Sequence, residues 1–503
     1  MTIRARLTLD PDFRIAPVEP RLFGSFVEHM GRCVYSGIFE PGHPDADADG
    51  FRTDVLELVR ELGVTLVRYP GGNFVSNHRW EDAVGPVEQR PTTLDLAWRS
   101  VEDNRFGLNE FMAWTAKARV EPMMALNLGT RGVAEALQLV EYATYPAGTR
   151  WSELRRSHGV DKPHDIRLWC LGNELDGPWQ MGHKTAREYG RLAAETARAL
   201  KRLDPALSLV ACGSSNSSIE TFGGWEAEVL EETYDLVDYI SLHAYYDPSD
   251  GDTDSFLASA ADMEHMIRSI AATADHVAAK LRSRKRLKLS FDEWNVWYQS
   301  RFGGESTLEW AKHPRLIEDR YDVTDAVVVG SLLITLLRNA DRVGVACQAQ
   351  LANVIAPIMT EPGGPAWRQS IFHPFALTAR HARGEVLRVE PDSPGIATEK
   401  YGEVPSVWAT ATHDPATGAL TLFAVNRHRD GPCELEVKLP AHLAPVEHLE
   451  LADADPSAAN TAAEPHRVVP RPGTGLWCED GTATLALPPA SWTMVRFAAA
   501  AKE

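Results

Sequence analysis

Cysteine is scarce in this chain of 503 residues, and the six that occur (Cys33, Cys170, Cys212, Cys347, Cys433 and Cys478) are widely scattered. No Cys-x-x-Cys pair is present and no cluster has metal-ligand spacing, so neither a disulfide framework nor a bound metal is expected. Four of the six lie in apolar, strand-like runs, where thiols are usually buried, and this usage suits a reducing compartment. No run of ~18 apolar residues occurs, so no membrane span is expected. The first ten residues alternate polar and apolar and lack the continuous apolar core of a signal peptide; a cytoplasmic protein is the expectation. Basic residues are in the minority. With 51 Lys and Arg against 70 Asp and Glu, the net charge is −19, which argues against nucleic acid or an anionic membrane as partner. A neutral substrate is untouched by that exclusion.

What is present is ordinary in bulk, with 44% hydrophobic and 24% charged residues. The length suits one large barrel with an accessory domain. Residues 1–20 read as one or two strands with a proline-rich corner at Pro17 and Pro20. From Leu22 onward, strands alternate with helical stretches. The expected strands are 22–27, 65–69, 122–127, 166–172, 207–212, 237–242, 287–291 and 343–347. Helical spacing is found over 54–62 (with Gly63 as C-cap), 108–118, 132–145, 185–203, 255–284 and 323–339. Eight such repeats predict a (β/α)8 TIM barrel over residues 21–375, in the α/β class. After about Phe375 the pattern becomes short strands between turn-rich segments: 386–389, 407–413, 420–425, 433–439, 446–451, 484–487 and 492–497. This predicts an all-β sandwich over 376–503, which the strands within 1–20 are expected to join, since they would otherwise leave an edge unpaired.

In a barrel of this kind the active site lies at the C-terminal ends of the strands. Here those ends carry Glu28-His29, Arg68 followed by Gly71-Gly72-Asn73, Asn127, Asn173-Glu174, His243-Ala-Tyr245, Glu293, and Gln348 with Gln350. Two stretches lead. Ile166-Arg-Leu-Trp-Cys-Leu-Gly-Asn-Glu174 and Leu287-Lys-Leu-Ser-Phe-Asp-Glu-Trp-Asn295 are each an apolar strand that stops at a glutamate. Cleaving a glycosidic bond needs one carboxyl group to protonate the leaving oxygen and a second to meet the oxocarbenium-like centre. Glu174 and Glu293 can meet only across a barrel mouth. Taken singly, each candidate has a plainer reading: a strand-end glutamate is usually a salt-bridge or solvent residue, His243 alone a structural histidine, and Asn73 a turn former. Glu28-His29 could cap a loop, Arg68 could be a structural partner of either glutamate, and Trp294 could pack in the wall or face a sugar.

Six ordered motifs decide between these readings. Phe23-Gly-Ser-Phe-Val-Glu-His29, Val67-Arg-Tyr-Pro-Gly-Gly-Asn-Phe74, Leu96-Ala-Trp-Arg-Ser100, Trp169-Cys-Leu-Gly-Asn-Glu-Leu-Asp-Gly-Pro-Trp179, Phe291-Asp-Glu-Trp-Asn-Val-Trp297 and Gln350-Leu-Ala-Asn-Val-Ile-Ala356 resemble the active-site segments of α-L-arabinofuranosidases of glycoside hydrolase family 51. The resemblance implies Glu174 as general acid/base and Glu293 as nucleophile of a retaining, exo-acting arabinofuranosidase without cofactor. It further implies Glu28, Asn73, Asn173 and Gln350 as ligands of the sugar hydroxyls, Tyr245 as support to the nucleophile, and Arg68 and His243 in the surrounding hydrogen-bond network. Trp98 and Trp297 would wall the pocket, and the charged, glycine-containing segment 299–321 would form a rim. Arabinose-containing oligosaccharides are the implied substrates and a homohexamer the implied assembly. Another barrel glycosidase activity, β-xylosidase or endoglucanase, is the alternative on the same carboxylate pair. Retention predicts carboxyl groups ~5–5.5 Å apart.

Overall fold

The computed structural model describes residues 3–248 and 251–499; the outermost ends of the expected first and last segments lie outside the described residues. Eight parallel strands close into a barrel: β1 (Gly24–Phe26), β2 (Leu66–Tyr69), β3 (Glu121–Ala125), β4 (Leu168–Cys170), β5 (Ser208–Ala211), β6 (Tyr239–Tyr246), β7 (Lys288–Val296) and β8 (Val343–Gln348). Each pairs with its neighbours in sequence, and β8 closes on β1 through Cys347 opposite Gly24. The fold is a (β/α)8 barrel with a C-terminal β domain. All eight expected strands are found, with shifted ends. Leu22 and Phe23 belong to a 3-10 turn, Pro20–Phe23, which shortens β1. β6 and β7 run well past their expected ends, because the polar residues His243, Tyr245, Asp292, Glu293 and Asn295 stay in extended conformation.

Helices follow each strand. Thr53–Leu62 ends at Gly63, whose φ of 80° and N–H bond to Arg60 O make it the expected C-cap. The stretch 255–284 divides into Thr253–Leu257 and Ala260–Leu281. Two helices of the ring, Gly224–Thr233 and Phe372–His381, have no counterpart among the expected ones. The first opens on glycine and turns a buried Glu226 inward; the second carries Pro374 in its first turn, which is tolerated there.

Inside the barrel, Leu66, Met123, Ala125, Leu168, Cys170, Val210, Val345 and Cys347 form an apolar plug. Alternate residues such as Val67, Met124, Trp169 and Leu209 face the helices, as period-two alternation requires. Above the plug the inward positions turn charged, and this change of layer places the site.

Two further sheets pack over a core that includes Leu7, Val407, Leu422, Leu435, Leu485 and Phe497. One sheet joins Ile3–Thr8, Cys433–Lys438, Thr482–Leu487 and Trp477–Glu479; the other has seven strands, from Arg14–Pro17 through Glu385–Leu387 to Arg471–Pro472. Ile3–Thr8 runs parallel to Cys433–Lys438, and Arg14–Pro17 pairs antiparallel with Glu385–Leu387. The outer face of the seven-stranded sheet, with Phe423, Val425, Trp492 and Met494, belongs to the same core as the barrel helices. Helix Val323–Arg338 lies between the two units, nearly all of it buried. At Gly330 a Cβ atom would stand 2.2 Å from Trp492 Cδ1, so only glycine permits this approach.

Candidate active site

The strand ends converge on a cavity of about 590 Å³. Eight of the expected residues line it: Glu28, Asn73, Trp98, Glu174, Tyr245, Glu293, Trp297 and Gln350. Arg68, Asn173 and His243 lie directly behind its wall, each buried. The rim segment contributes Gln299, Phe302, Gly304, Glu305 and Ile317. Trp294 has no exposed surface and packs in the barrel wall, which settles its alternatives in favour of packing. Asn127 and Gln348 do not reach the cavity: Asn127 Nδ2 donates to His78 O, and Gln348 Nε2 donates to Asn295 Oδ1. His29, beside Glu28, is turned away toward Glu102 (2.9 Å) and the Tyr69 hydroxyl (2.8 Å).

Glu174 stands four residues beyond β4 with a φ of 42°, a left-handed conformation that is strained for a glutamate. Its Oε1 meets His243 Nδ1 at 2.7 Å, and its Oε2 accepts the Trp179 indole N–H at 2.9 Å. Glu293, within β7, accepts Arg68 Nη1 on Oε1 and the Tyr245 hydroxyl on Oε2, both at 2.7 Å. An oxygen of Glu174, an oxygen of Glu293 and a His243 ring nitrogen all lie within 4.8 Å of one another. Metal-ligand spacing is thus met, but these atoms already hold hydrogen bonds, and a guanidinium occupies the adjoining space. The two other acid–histidine groupings found among the described residues, at Glu102–Asp103–His313 and His43–Asp45–Asp54, are similarly engaged by Tyr35 and His29 and by Arg52.

His243 is held from both sides, because its Nε2 meets Asp292 Oδ1 at 3.1 Å while Glu293 Oε2 lies 3.7 Å from Nδ1. Burial opposes a charge on the ring, but Glu293, Asp292 and Glu174 outweigh it and lift the pKa well above the ordinary value, so the residue is an imidazolium. Asp292 is the reverse case. Burial opposes its ionisation, and Arg68 and His243 overcome this and hold the carboxyl below its usual range. Simple alternation along a strand would turn Asp292 away from Glu293 and gives it no role in the sequence, but the register irregularity between Phe291 and Trp294 brings both carboxylates to the same side, where each meets Arg68 and His243.

Arg68 ties the carboxylates to the floor, with Nη2 on Asn173 Oδ1 at 2.7 Å, Nε 3.5 Å from Asp292, and its guanidinium over the Phe26 ring at 4.8 Å. Asn173 Nδ2 has only long contacts, 3.4 Å to Asn73 and 3.5 Å to Gln180, and so retains donor capacity. Across the cavity, Glu28 Oε1 accepts Phe74 N–H and the Trp98 indole, each at 2.9 Å, and Oε2 faces Gln350 Nε2 at 3.3 Å. Burial, with the Glu293 and Asp95 charges adding to it, pushes the Glu28 pKa up to about 8 against the pull of those N–H donors. A Cβ on Gly72 would sit 3.1 Å from Glu293 Oε1 and 3.2 Å from Glu28 Oε2, so this glycine keeps the floor open. Trp297 meets Tyr245 edge-on at 5.3 Å, with its indole N–H buried and unpartnered. At neutral pH Glu28 therefore holds its proton, and the cations Arg68 and His243 flank the Asp292 carboxylate.

Comparison with known proteins agrees with this geometry. A family profile described as an alpha-L-arabinofuranosidase 1 domain matches residues 58–265, and an alpha-L-arabinofuranosidase C-terminal domain matches residues 292–491. The second match opens at Asp292, inside β7, and so covers part of the barrel as well as the β domain. An intracellular exo-alpha-(1->5)-L-arabinofuranosidase of Streptomyces lividans is 64% identical over 499 residues, 98% of this chain and 75% of that one. An exo-alpha-(1->6)-L-arabinofuranosidase of Bifidobacterium longum is 53% identical, over 98% of this chain and 97% of its own. The solved structure of AbfB, a family 51 alpha-L-arabinofuranosidase from Bifidobacterium longum, superposes with a TM-score of 0.95 at 48% identity, covering 99% of this chain and all of the other. The chain belongs to the α-L-arabinofuranosidases of glycoside hydrolase family 51.

Proposed function

We propose that the protein is a retaining, exo-acting α-L-arabinofuranosidase that releases terminal arabinofuranosyl residues from arabino-oligosaccharides, arabinan or arabinoxylan fragments. The observation that carries this reading is the Glu174–Glu293 pair, close enough for double displacement and facing a cavity lined by Glu28, Asn73, Trp98, Trp297 and Gln350. Glu293 attacks the anomeric carbon and forms a glycosyl ester, while Glu174 gives its proton to the departing oxygen. Glu174 then takes a proton from the water that cleaves the ester, which frees Glu293. Tyr245 and Arg68 each hold one Glu293 oxygen and so aim the nucleophile. Burial and the neighbouring Glu293 charge keep Tyr245 a phenol, able to donate.

Glu28, Asn73, Asn173 and Gln350 are the proposed ligands of the furanose hydroxyls, with Trp98 and Trp297 as walls. Glu28, when protonated, offers both a donor and acceptors, which suits a hydroxyl. The decisive experiment is Glu293→Ala with nitrophenyl α-L-arabinofuranoside: turnover is lost, and azide restores it as the arabinosyl azide of inverted configuration. Full activity in that variant would show the nucleophile to be another residue. Comparing nitrophenyl arabinofuranoside with nitrophenyl xyloside separates this function from β-xylosidase.

Relatives described as intracellular support the same placement here, and no described helix is long and apolar enough to cross a membrane. Family resemblance supports a homohexamer, which light scattering tests. The same reading divides the chain into a catalytic barrel over 21–375 and a sandwich built from 1–20 and 376–503.

A further inference from the structure

The two halves of the cavity wall differ in kind. Beside Glu293 it is built from Trp98, Trp297, Phe302 and Glu28; beside Glu174 it holds Trp179, whose indole bonds Glu174, and beyond that ring a polar stretch made of the loop Ser215–Ser218 and Asp262. A single furanose held at Glu293 has no use for that second half, and the cavity volume falls in the range that encloses larger ligands.

This polar ledge is built rather than loose. Ser215 N–H and Oγ–H both donate to Asp176 Oδ2, at 2.9 and 3.0 Å, which tethers the loop two residues past Glu174. Asp262, in the first turn of helix Ala260–Leu281, accepts the Ser217 hydroxyl on Oδ1 at 2.8 Å and the Tyr246 hydroxyl on Oδ2 at 3.1 Å. Tyr246 is buried, and burial with the Asp262 charge raises its pKa well above the ordinary value, so it remains a donor. Two donors thus fix the carboxylate plane, and each oxygen keeps a further lone pair. Alongside, Asn216 Oδ1 accepts Ser218 N–H and Oγ–H, while its Nδ2 has no partner among the described residues. The ledge therefore sets a carboxylate acceptor beside an amide donor, the complement of neighbouring sugar hydroxyls. Because the general acid must touch the leaving oxygen, its side of the cavity is where the leaving group sits.

We propose that Asp262, aligned by Ser217 and Tyr246, forms with the Asn216 amide a leaving-group subsite that selects a hydroxyl-bearing sugar over a flat, hydroxyl-free aglycone. This inference rests on the arabinofuranosidase reading. Turnover of nitrophenyl arabinofuranoside by the unmutated chain tests that reading by itself, and the ledge is tested by a ratio. The ratio is kcat/KM on α-1,5-linked arabinobiose divided by kcat/KM on nitrophenyl arabinofuranoside, measured for the full chain and for Asp262→Asn, Asp262→Ala and Asn216→Ala. A charge-assisted hydrogen bond lost to one substrate only should lower the ratio about tenfold or more in the Asp262 variants. Asn216→Ala, on a partly exposed loop, should lower it by about threefold to tenfold. An unchanged ratio in all three variants overturns the proposal, whether the two substrates then lose activity equally or not at all.

Discussion

Glu28→Gln should make the protein more stable as the solution is made alkaline, at the expense of activity. The native carboxyl titrates at about 8 and its ordinary value is 4.5. Below pH 4.5 the group is protonated in both folded and unfolded chains and does not discriminate between them. Between 4.5 and 8 the unfolded chain releases the proton and the native chain keeps it. Folding stability therefore falls by about 1.4 kcal/mol for each pH unit, to a total of about 5 kcal/mol above pH 8. Glutamine imitates the protonated acid in charge: its oxygen can take the Phe74 and Trp98 N–H groups, while its NH2 meets the Gln350 Nε2 donor, a cost that does not vary with pH. It does not titrate. The stability gap between variant and parent should move in the variant's favour by about 3 kcal/mol between pH 5 and pH 7, and furthest above pH 8. Urea unfolding followed by tryptophan fluorescence at pH 5, 7 and 8.5 measures the gap. Parallel pH profiles for the two proteins would refute the reasoning, since they would mean that Glu28 ionises in the native site as readily as in the unfolded chain. The variant should meanwhile lose at least about tenfold in kcat/KM through its missing hydroxyl contact, an exchange of function for stability seen widely at active sites.

Three further outcomes follow from the same contacts. His243→Gln removes the cation between Glu174 and Asp292 and leaves a buried carboxylate with Arg68 as its sole counter-charge; it should destabilise by about 3 kcal/mol in urea unfolding and lower kcat at least about a hundredfold. Gly72→Ala places a methyl group against Glu293 and Glu28, and should melt close to the parent while losing most turnover; undiminished kcat/KM would mean the cavity floor is not where the sugar lies. Gly330→Ala drives Trp492 off its helix and should cost about 1–3 kcal/mol of stability, with kcat/KM on nitrophenyl arabinofuranoside preserved.

The barrel was legible because hydrophobic period and strand spacing repeat eight times, and the carboxylate pair because each glutamate ends an apolar run. The sequence was less informative where chemistry interrupts the pattern. Asp292, Glu293 and Asn295 continue β7 as polar residues, so composition suggested that the strand stops at Phe291, whereas it runs to Val296. Asp292 was invisible for the same reason: its partners Arg68 and His243 come from β2 and β6, and only closure of the barrel makes them neighbours. Periodicity also failed at Gly224–Thr233, where a buried Glu226 serving the Ser214 backbone looks like a surface residue in sequence. His243 and Tyr245 were rightly placed on one strand face, but they serve different carboxylates, His243 bonding Glu174 and Asp292 and Tyr245 bonding Glu293.

The first strand has a consequence for how the chain is made. Ile3–Thr8 pairs along its length with Cys433–Lys438, and Arg6 bridges to Asp392, 386 residues further along. At synthesis rates of roughly 5–20 residues per second, the leading segment waits about 20–80 s for its neighbours to emerge. The barrel can assemble in that interval, but the face of helix Val323–Arg338 that belongs under Trp492 stays uncovered until the strand Ser491–Ala499 has left the ribosome. The strand Ser491–Ala499 therefore acts as a latch, and a chain cut shortly before it would keep its barrel but carry an open apolar seam, a ready substrate for chaperones and proteases.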